Sequence, residues 1–293
     1  MKHYIFFLFL FCTFLSSSQT ENYHIKVVYE PNQTYTYRIK ETSSINTFKD
    51  VDKDMKRMLD SIGSVKSLKS GKEESFRMKI STFNLDSEGN IPIKILFDQL
   101  SYKGFYEREK INKEHGFKSL KLVGKINSKN KVQIDEVFVD NLKSKNESMI
   151  KLYYKNVEST VFFPDNALSI GDSFILEKPL RLLLAEKPAM LENAPIKDII
   201  SNNTKNKFTL TKVKADKAYF DVEGIVELNK EEVPNNIINL NVKSKGKIEV
   251  NIKDKHINKV SLESYLSYDE ILFENNVVNF NYKFTLKINA ITQ

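Results

Sequence analysis

Apolar and polar side chains alternate with a period of two along most of this chain, the signature of half-buried β-strands. Tyr35, Tyr37 and Ile39 share one face of a strand, with Thr36, Arg38 and Lys40 on the other. Phe76, Met78 and Ile80 oppose Arg77, Lys79 and Ser81. After a turn at Asp86-Ser87-Glu88-Gly89-Asn90 come Ile91, Ile93, Ile95 and Phe97. Ala218, Phe220, Val222, Val226 and Leu228 repeat the rhythm, with Gly224 on the apolar face, where a glycine often marks a bend or a close backbone approach.

Two runs are unusually long. Ile238, Leu240, Val242, Ile248, Val250 and Ile252 keep one parity, with Ser244 and Gly246 between them. Val278, Phe280, Tyr282, Phe284, Leu286 and Ile288 do the same near the C-terminus. Strands of this length reach on the order of 40 Å at about 3.3 Å per residue. They coil rather than stay flat, with glycines and bulges setting the bend. One wet face favours antiparallel pairing. The expectation is a mainly β protein of long, strongly curved antiparallel sheets, a half-barrel or sandwich-like arrangement.

Helical spacing is sparse. Val51, Met55, Met58, Leu59 and Ile62 fit one short helix, with Asp50 as its cap and Gly63 as its stop. A second runs over residues 139–154, and a third over 180–191 is cut by Pro188. Two or three short helices are therefore expected.

The pattern also repeats. Asn32-Gln33-Thr34-Tyr35 opens a strand, and Ile170-Gly171-Asp172-Ser173-Phe174 opens another after Phe163-Pro164. Hairpins follow at Phe76 to Phe97 and at Phe208 to Leu228. Gly124-Lys125-Ile126 then matches Gly246-Lys247-Ile248, each before a polar turn and an apolar strand. These features predict a duplication, with one β-rich repeat over residues 19–160, carrying the helical insertions, and a second over 161–293.

The first eighteen residues stand apart. Lys2, an apolar run from Tyr4 to Leu15 and Ser16-Ser17-Ser18 form a secretory signal peptide, and the run is too short to span a bilayer. The mature chain is expected to begin at Gln19, to lack a transmembrane segment and to reside in the periplasm rather than outside the cell. Cys12, the only cysteine, falls within the signal, and Phe11 before it departs from the lipid-attachment pattern. Burial rather than disulfides must then hold the exported protein together. The formal net charge is +7, one less once Lys2 is cleaved, and only five cations are arginines. Without Arg forks for phosphates and base edges, nucleic-acid binding is not expected.

Candidate chemistry is thin. Asp50-x-Asp52-x-Asp54 imitates a calcium loop, but Met55 and Ser61 stand where Gly and Glu are needed. His24, His115 and His256 are scattered, and no cofactor or metal is implied. Gly171-Asp172-Ser173-Phe174 lacks the second glycine of a nucleophile elbow and reads as a turn feeding a strand; Gly71-Lys72-Glu73 is no phosphate loop. A carboxylate pair for hydrolysis is a three-dimensional property that spacing does not reveal. Met55, Met58, Leu59 and Leu182-Leu183-Leu184 offer an apolar lid over the concave face, where adaptable side chains suit a hydrophobic ligand; capping of the core ends is the plainer alternative.

The stretches Tyr35-Thr-Tyr-Arg-Ile, Asp86-Ser-Glu-Gly-Asn-Ile-Pro-Ile, Phe163-Pro-Asp-Asn with Gly171-Asp-Ser-Phe, Ala218-Tyr-Phe-Asp-Val and Gly246-Lys-Ile together cover most of the mature chain. In them the chain resembles a domain-of-unknown-function family of secreted, β-rich proteins from Bacteroidota. In that family Trp commonly follows Gly-Asp-Ser, where this chain has Phe174. The resemblance implies an exported β protein and transfers no active site. Pattern and resemblance together predict a non-enzymatic, exported binding or envelope-associated structural protein. The alternative is a periplasmic carrier of a lipid or other hydrophobic ligand, and a third possibility is a hydrolase with a cryptic carboxylate pair.

Overall fold

Residues 21–50, 67–106, 109–111, 118–128, 131–140, 163–176, 204–227, 231, 233–271 and 277–291 are described in a computed structural model of the chain. The alternating segments become strands of one antiparallel sheet. β1 (Thr34–Asp50), β2 (Ser67–Thr82), β3 (Ile91–Tyr106), β4 (Glu109–Ile111), β5 (Ser119–Ile126) and β6 (Val132–Asp140) come first. β7 (Ser173–Leu176), β8 (Thr204–Lys214), β9 (Lys217–Val226), β10 (Ile237–Asn251), β11 (His256–Ile271) and β12 (Val277–Ala290) follow. Their spatial order is β6-β5-β3-β2-β1-β12-β11-β10-β9-β8-β7, with β4 beside β3 off this path. The sheet is open, with β6 and β7 at its edges.

β1 and β12 meet at the centre, Tyr37 opposite Ala290 and Asp50 opposite Val277. From β1 the chain meanders out to one edge, and it returns from the other edge to β12. Neighbouring strands of the sheet alternate in direction, so the hairpin connections collect at its two ends. One end holds the tight ones, and Asp86 shows how they close. Its Oδ1 accepts the backbone N–H of Glu88 at 2.9 Å and of Asn90 at 2.8 Å, while Gly89 takes a φ of 78°. Those bonds hold the Asp86 carboxyl below its usual range. At Ala215 and Asp216 both φ angles are positive, 46° and 60°, as a two-residue hairpin between right-twisted strands requires. Gly171 has a φ of 99°, and the Asp172 carboxylate accepts the Ser169 N–H at 2.8 Å before β7 begins. That motif is the strand-feeding turn its sequence indicates.

The main core gathers the inward side chains near this tight-turn end. Ile39, Ile95, Leu122, Leu210, Ala218, Val250 and Val260 are all completely buried. Ile25, Val27 and Leu168 join them from outside the sheet. Segment 21–33 ties the two halves together there: Tyr23 and Leu168 exchange backbone bonds of 2.8 and 2.9 Å, and the Val28 N–H donates to Lys255 O at 2.9 Å. Phe163, Phe174, Phe208 and Phe220 form an aromatic cluster with centroid separations of 5.0 to 6.0 Å.

Gly124 is required by its neighbours. A Cβ there would lie 2.0 Å from the Gln133 carbonyl oxygen, just where the β5–β6 register shifts. Gly124→Ala should therefore cost about 1–3 kcal/mol of stability by overpacking, measured by urea unfolding. Gly89→Ala should cost about 1–2 kcal/mol from its left-handed backbone alone, since nothing lies within 4 Å of a Cβ there.

Val139, the expected start of the second helix, lies instead in strand β6, opposite Leu120. Pairing of Val137 and Val139 with β5 overrides the weak helical spacing. Asp140 closes the same strand, while residues 141–154 and the segments 51–62 and 180–191 lie outside the described residues.

Candidate functional site

The inward face of the sheet is not uniformly apolar. One cross-strand row, followed through the registers, reads Asn206, Gly224, Ser244, Ser264, Phe284, Ser43, Lys72 and Gly104. Its neighbour toward the core passes through Gly246, Leu262 and Leu286 to Glu41 and Glu74. Together they form a belt that brings small and polar side chains into an otherwise apolar face, with Phe284, Leu262 and Leu286 set among them. The Ser244 and Ser264 hydroxyls are 2.9 Å apart, and a Cβ on Gly224 would come within 2.5 Å of the Ser244 Cβ, so the belt is tightly packed there.

Beyond the belt lies a second apolar cluster of Ile237, Leu266, Tyr268 and Tyr282, with Ile45, Val242, Phe280 and Phe284 against it. Phe280 and Phe284 face the same side of β12, as the alternation demands. Tyr268 stacks on Phe280 at 4.9 Å and on Tyr282 at 6.0 Å. The two tyrosine hydroxyls lie 3.3 Å apart, and burial pushes both phenols above their usual range.

Glu41 is the chemically distinctive residue of the belt. It is only 8% exposed, and its Oε1 has no hydrogen-bond partner among the described residues. The crevice around it, lined by Glu41, Thr42, Ser43, Lys72, Glu74 and Phe284, is too tight for a water molecule. Burial first, and the Glu74 carboxylate second, push its pKa up to about 7, while the Lys72 ammonium pulls it down. Lys72 is already engaged with Glu74 at 3.2 Å. Glu41 and Glu74 are a cross-strand carboxylate pair. What this arrangement offers is a near-neutral carboxyl at the boundary between two apolar zones.

The predicted lid residues Met55, Met58, Leu59, Leu182, Leu183 and Leu184 lie outside the described residues. Both of their connections, from Asp50 to Ser67 and from Leu176 to Thr204, join strand ends away from the tight turns. The sequence reading missed Glu41, although its parity with Tyr35, Tyr37 and Ile39 marks it as inward. His24 is exposed, and the His256 Nδ1 sits 3.3 Å from the Asp254 carbonyl oxygen. Among the described residues no three His, Cys, Asp or Glu side chains gather to hold a metal, and no helix there is long and apolar enough to cross a membrane.

No family model matches the chain. No curated protein matches it. Among solved structures it is similar to one described as lipid–protein interactions in lipovitellin, with a TM-score of 0.45 and 8% sequence identity. That likeness covers 90% of this chain and 25% of the other, so the chain spans about a quarter of that protein's length.

Proposed function

We propose that this chain is an exported, non-enzymatic β-sheet binding protein of the periplasm, and that its ligand is a lipid or other hydrophobic molecule held on the inward face. The observation that carries this reading is the second apolar cluster. A sheet that needed only a core would keep its inward face continuously greasy. Here Ile237, Leu266, Tyr268 and Tyr282 form a second buried apolar cluster, and beside the row that runs between it and the core sits a carboxyl oxygen without a hydrogen-bond partner among the described residues. Burying such a group without a partner costs about 1–3 kcal/mol, which packing alone gives no reason to retain. Mass spectrometry of organic extracts from natively purified protein should return a hydrophobic molecule in near-stoichiometric amount. Extracts free of any such molecule would count decisively against a carrier.

The same reading takes the sheet as bowed into a half-barrel with its inward face concave, and the chain as duplicated. Gly124 in β5 and Gly246 in β10 occupy matching places in the order β2-β3-β5-β6 and β8-β9-β10-β11, which supports the duplication.

An envelope-associated structural role is the second reading, favoured by the two terminal strands. β6 and β7 each have one side without a partner strand among the described residues. Such edges accept a strand from another chain. It requires stable partners, so cross-linking in intact cells that returned only the monomer would oppose it.

A further inference from the structure

The outward face of the sheet carries more cations than carboxylates, and at its centre like charges face one another across strands. Along the central strands, Lys40 of β1 stands directly opposite Lys287 of β12, and Arg38 of β1 opposite Arg77 of β2. Like charges opposite one another weaken a sheet. Partial relief comes from Glu73, 2.7 Å from Lys40, and from Asp98, which takes a bidentate pair from Arg77 at 2.6 and 2.7 Å. Arg38, Lys243, Lys245, Lys259 and Lys287 are exposed and form no ion pair within 4.0 Å among the described residues, although Lys245 stands opposite Glu263 and Lys259 opposite Glu249. Lys247 and Lys283 extend the same strip, facing Asp221 at 3.8 Å and Glu263 at 2.6 Å. Midway along it lies a shallow groove of about 410 Å³, bordered by Lys40, Lys283 and Lys287, by the hydroxyl residues Thr42, Ser261 and Thr285, and by Glu263.

We propose that this outward strip of β1, β12, β11 and β10 is a docking face for a lipid bilayer bearing anionic headgroups. Four adjacent strands present a surface roughly 15–20 Å broad, wide enough to meet several headgroups at once. Its cations without an ion pair among the described residues are four lysines and one arginine. An ammonium is a compact, strongly hydrated charge suited to the diffuse negative potential of a membrane surface, whereas discrete phosphates of a nucleic acid are gripped by guanidinium forks. The inward face carries the apolar clusters, so the two faces divide the work: one for ligand, one for surface. The inference goes beyond the ligand reading and does not depend on it, because extraction chemistry tests one face and vesicle binding the other.

The test is co-sedimentation with phosphatidylcholine vesicles, with and without about 30 mol% phosphatidylglycerol, at about 0.02 M and 0.3 M salt. The protein should sediment only with the anionic vesicles, and the bound fraction should collapse at the higher salt. The double reversal Lys259→Glu with Lys287→Glu should weaken vesicle affinity at least tenfold. The charge-matched control Lys131→Glu with Lys214→Glu, in the hairpin ends away from the strip, should weaken it less than threefold. Circular dichroism and the urea midpoint of each variant establish that the sheet is intact. Equal binding to neutral vesicles, unchanged binding by the Lys259/Lys287 reversal, or an acidic polysaccharide bound as tightly as the vesicles would each overturn the proposal.

Discussion

Raising the pH from about 4.5 to 8 should lower the unfolding free energy by about 3 kcal/mol, and Glu41→Gln should remove most of that loss. The folded-state pKa of Glu41 is raised from 4.5 to about 7. In this window the folded chain holds a proton that the unfolded chain has released. Stability is therefore fully present below the unfolded pKa, declines as pH rises through about 7, and levels off above it. The groups facing Glu41 are few. β2 brings Glu74 and Lys72, and β12 brings only the apolar Leu286 and Phe284. The carboxyls of Glu249 and Glu263, held below their usual range by Lys217 and Lys283, act in the opposite sense and only in acid, where their protonation removes the benefit of those pairs. Urea midpoints at pH 5, 6.5 and 8 for wild type and Glu41→Gln measure the effect. A slope equally steep in both proteins would show that Glu41 is not its source.

Phe220→Ala should destabilise the protein by about 3–5 kcal/mol, the range for removing a buried aromatic ring. Phe220 is 1% exposed and touches Phe163 at 5.3 Å and Phe174 at 6.0 Å, with Phe174 stacked in turn on Phe208 at 5.0 Å. Removing it opens a hole at the junction of β8, β9 and the segment around Phe163, which no small shift of one strand can refill. Phe138, 45% exposed with the Lys121 ammonium 3.9 Å over its ring, is the counterpart: Phe138→Ala should cost less than about 1 kcal/mol. Chemical denaturation of both variants checks the contrast, and similar losses in the two would mean that the aromatic cluster is not where the core lies.

The strand faces were readable because burial on one side of a pleat leaves a local trace. Tyr35, Tyr37 and Ile39, or Ala218, Phe220 and Val222, need only their own neighbours to be recognised. Asp86-Ser-Glu-Gly-Asn announces its turn for the same reason, since the bonds that close it lie within four residues. Strand lengths were harder. β1 and β2 run on through Glu41, Ser43, Lys72 and Glu74, inward positions whose polarity breaks the rhythm, so sequence alone shortens both strands. The centre of the sheet was not readable at all. β1 pairs with β12 from the far end of the chain, and nothing in either segment names the other. Ile25 and Val27 were missed because two apolar residues are too few to register as a strand, yet both are buried in the core by contacts remote in sequence. The belt emerged only when the registers aligned Ser43, Ser244 and Ser264, each unremarkable in its own strand.

The pairing of β1 with β12 is the claim on which the rest depends, and the near absence of cysteine makes it directly measurable. Thr42 and Thr285 are Cα partners across that pair and reach the outward face. In a Cys12→Ser background, Thr42→Cys with Thr285→Cys should oxidise readily to an intramolecular disulfide, because facing positions of an antiparallel pair fall within disulfide reach. A loop spanning most of the chain would then migrate faster on non-reducing electrophoresis. Absence of that cross-link, together with efficient oxidation of an out-of-register pair such as Thr42→Cys with Asn279→Cys, would contradict the sheet described here.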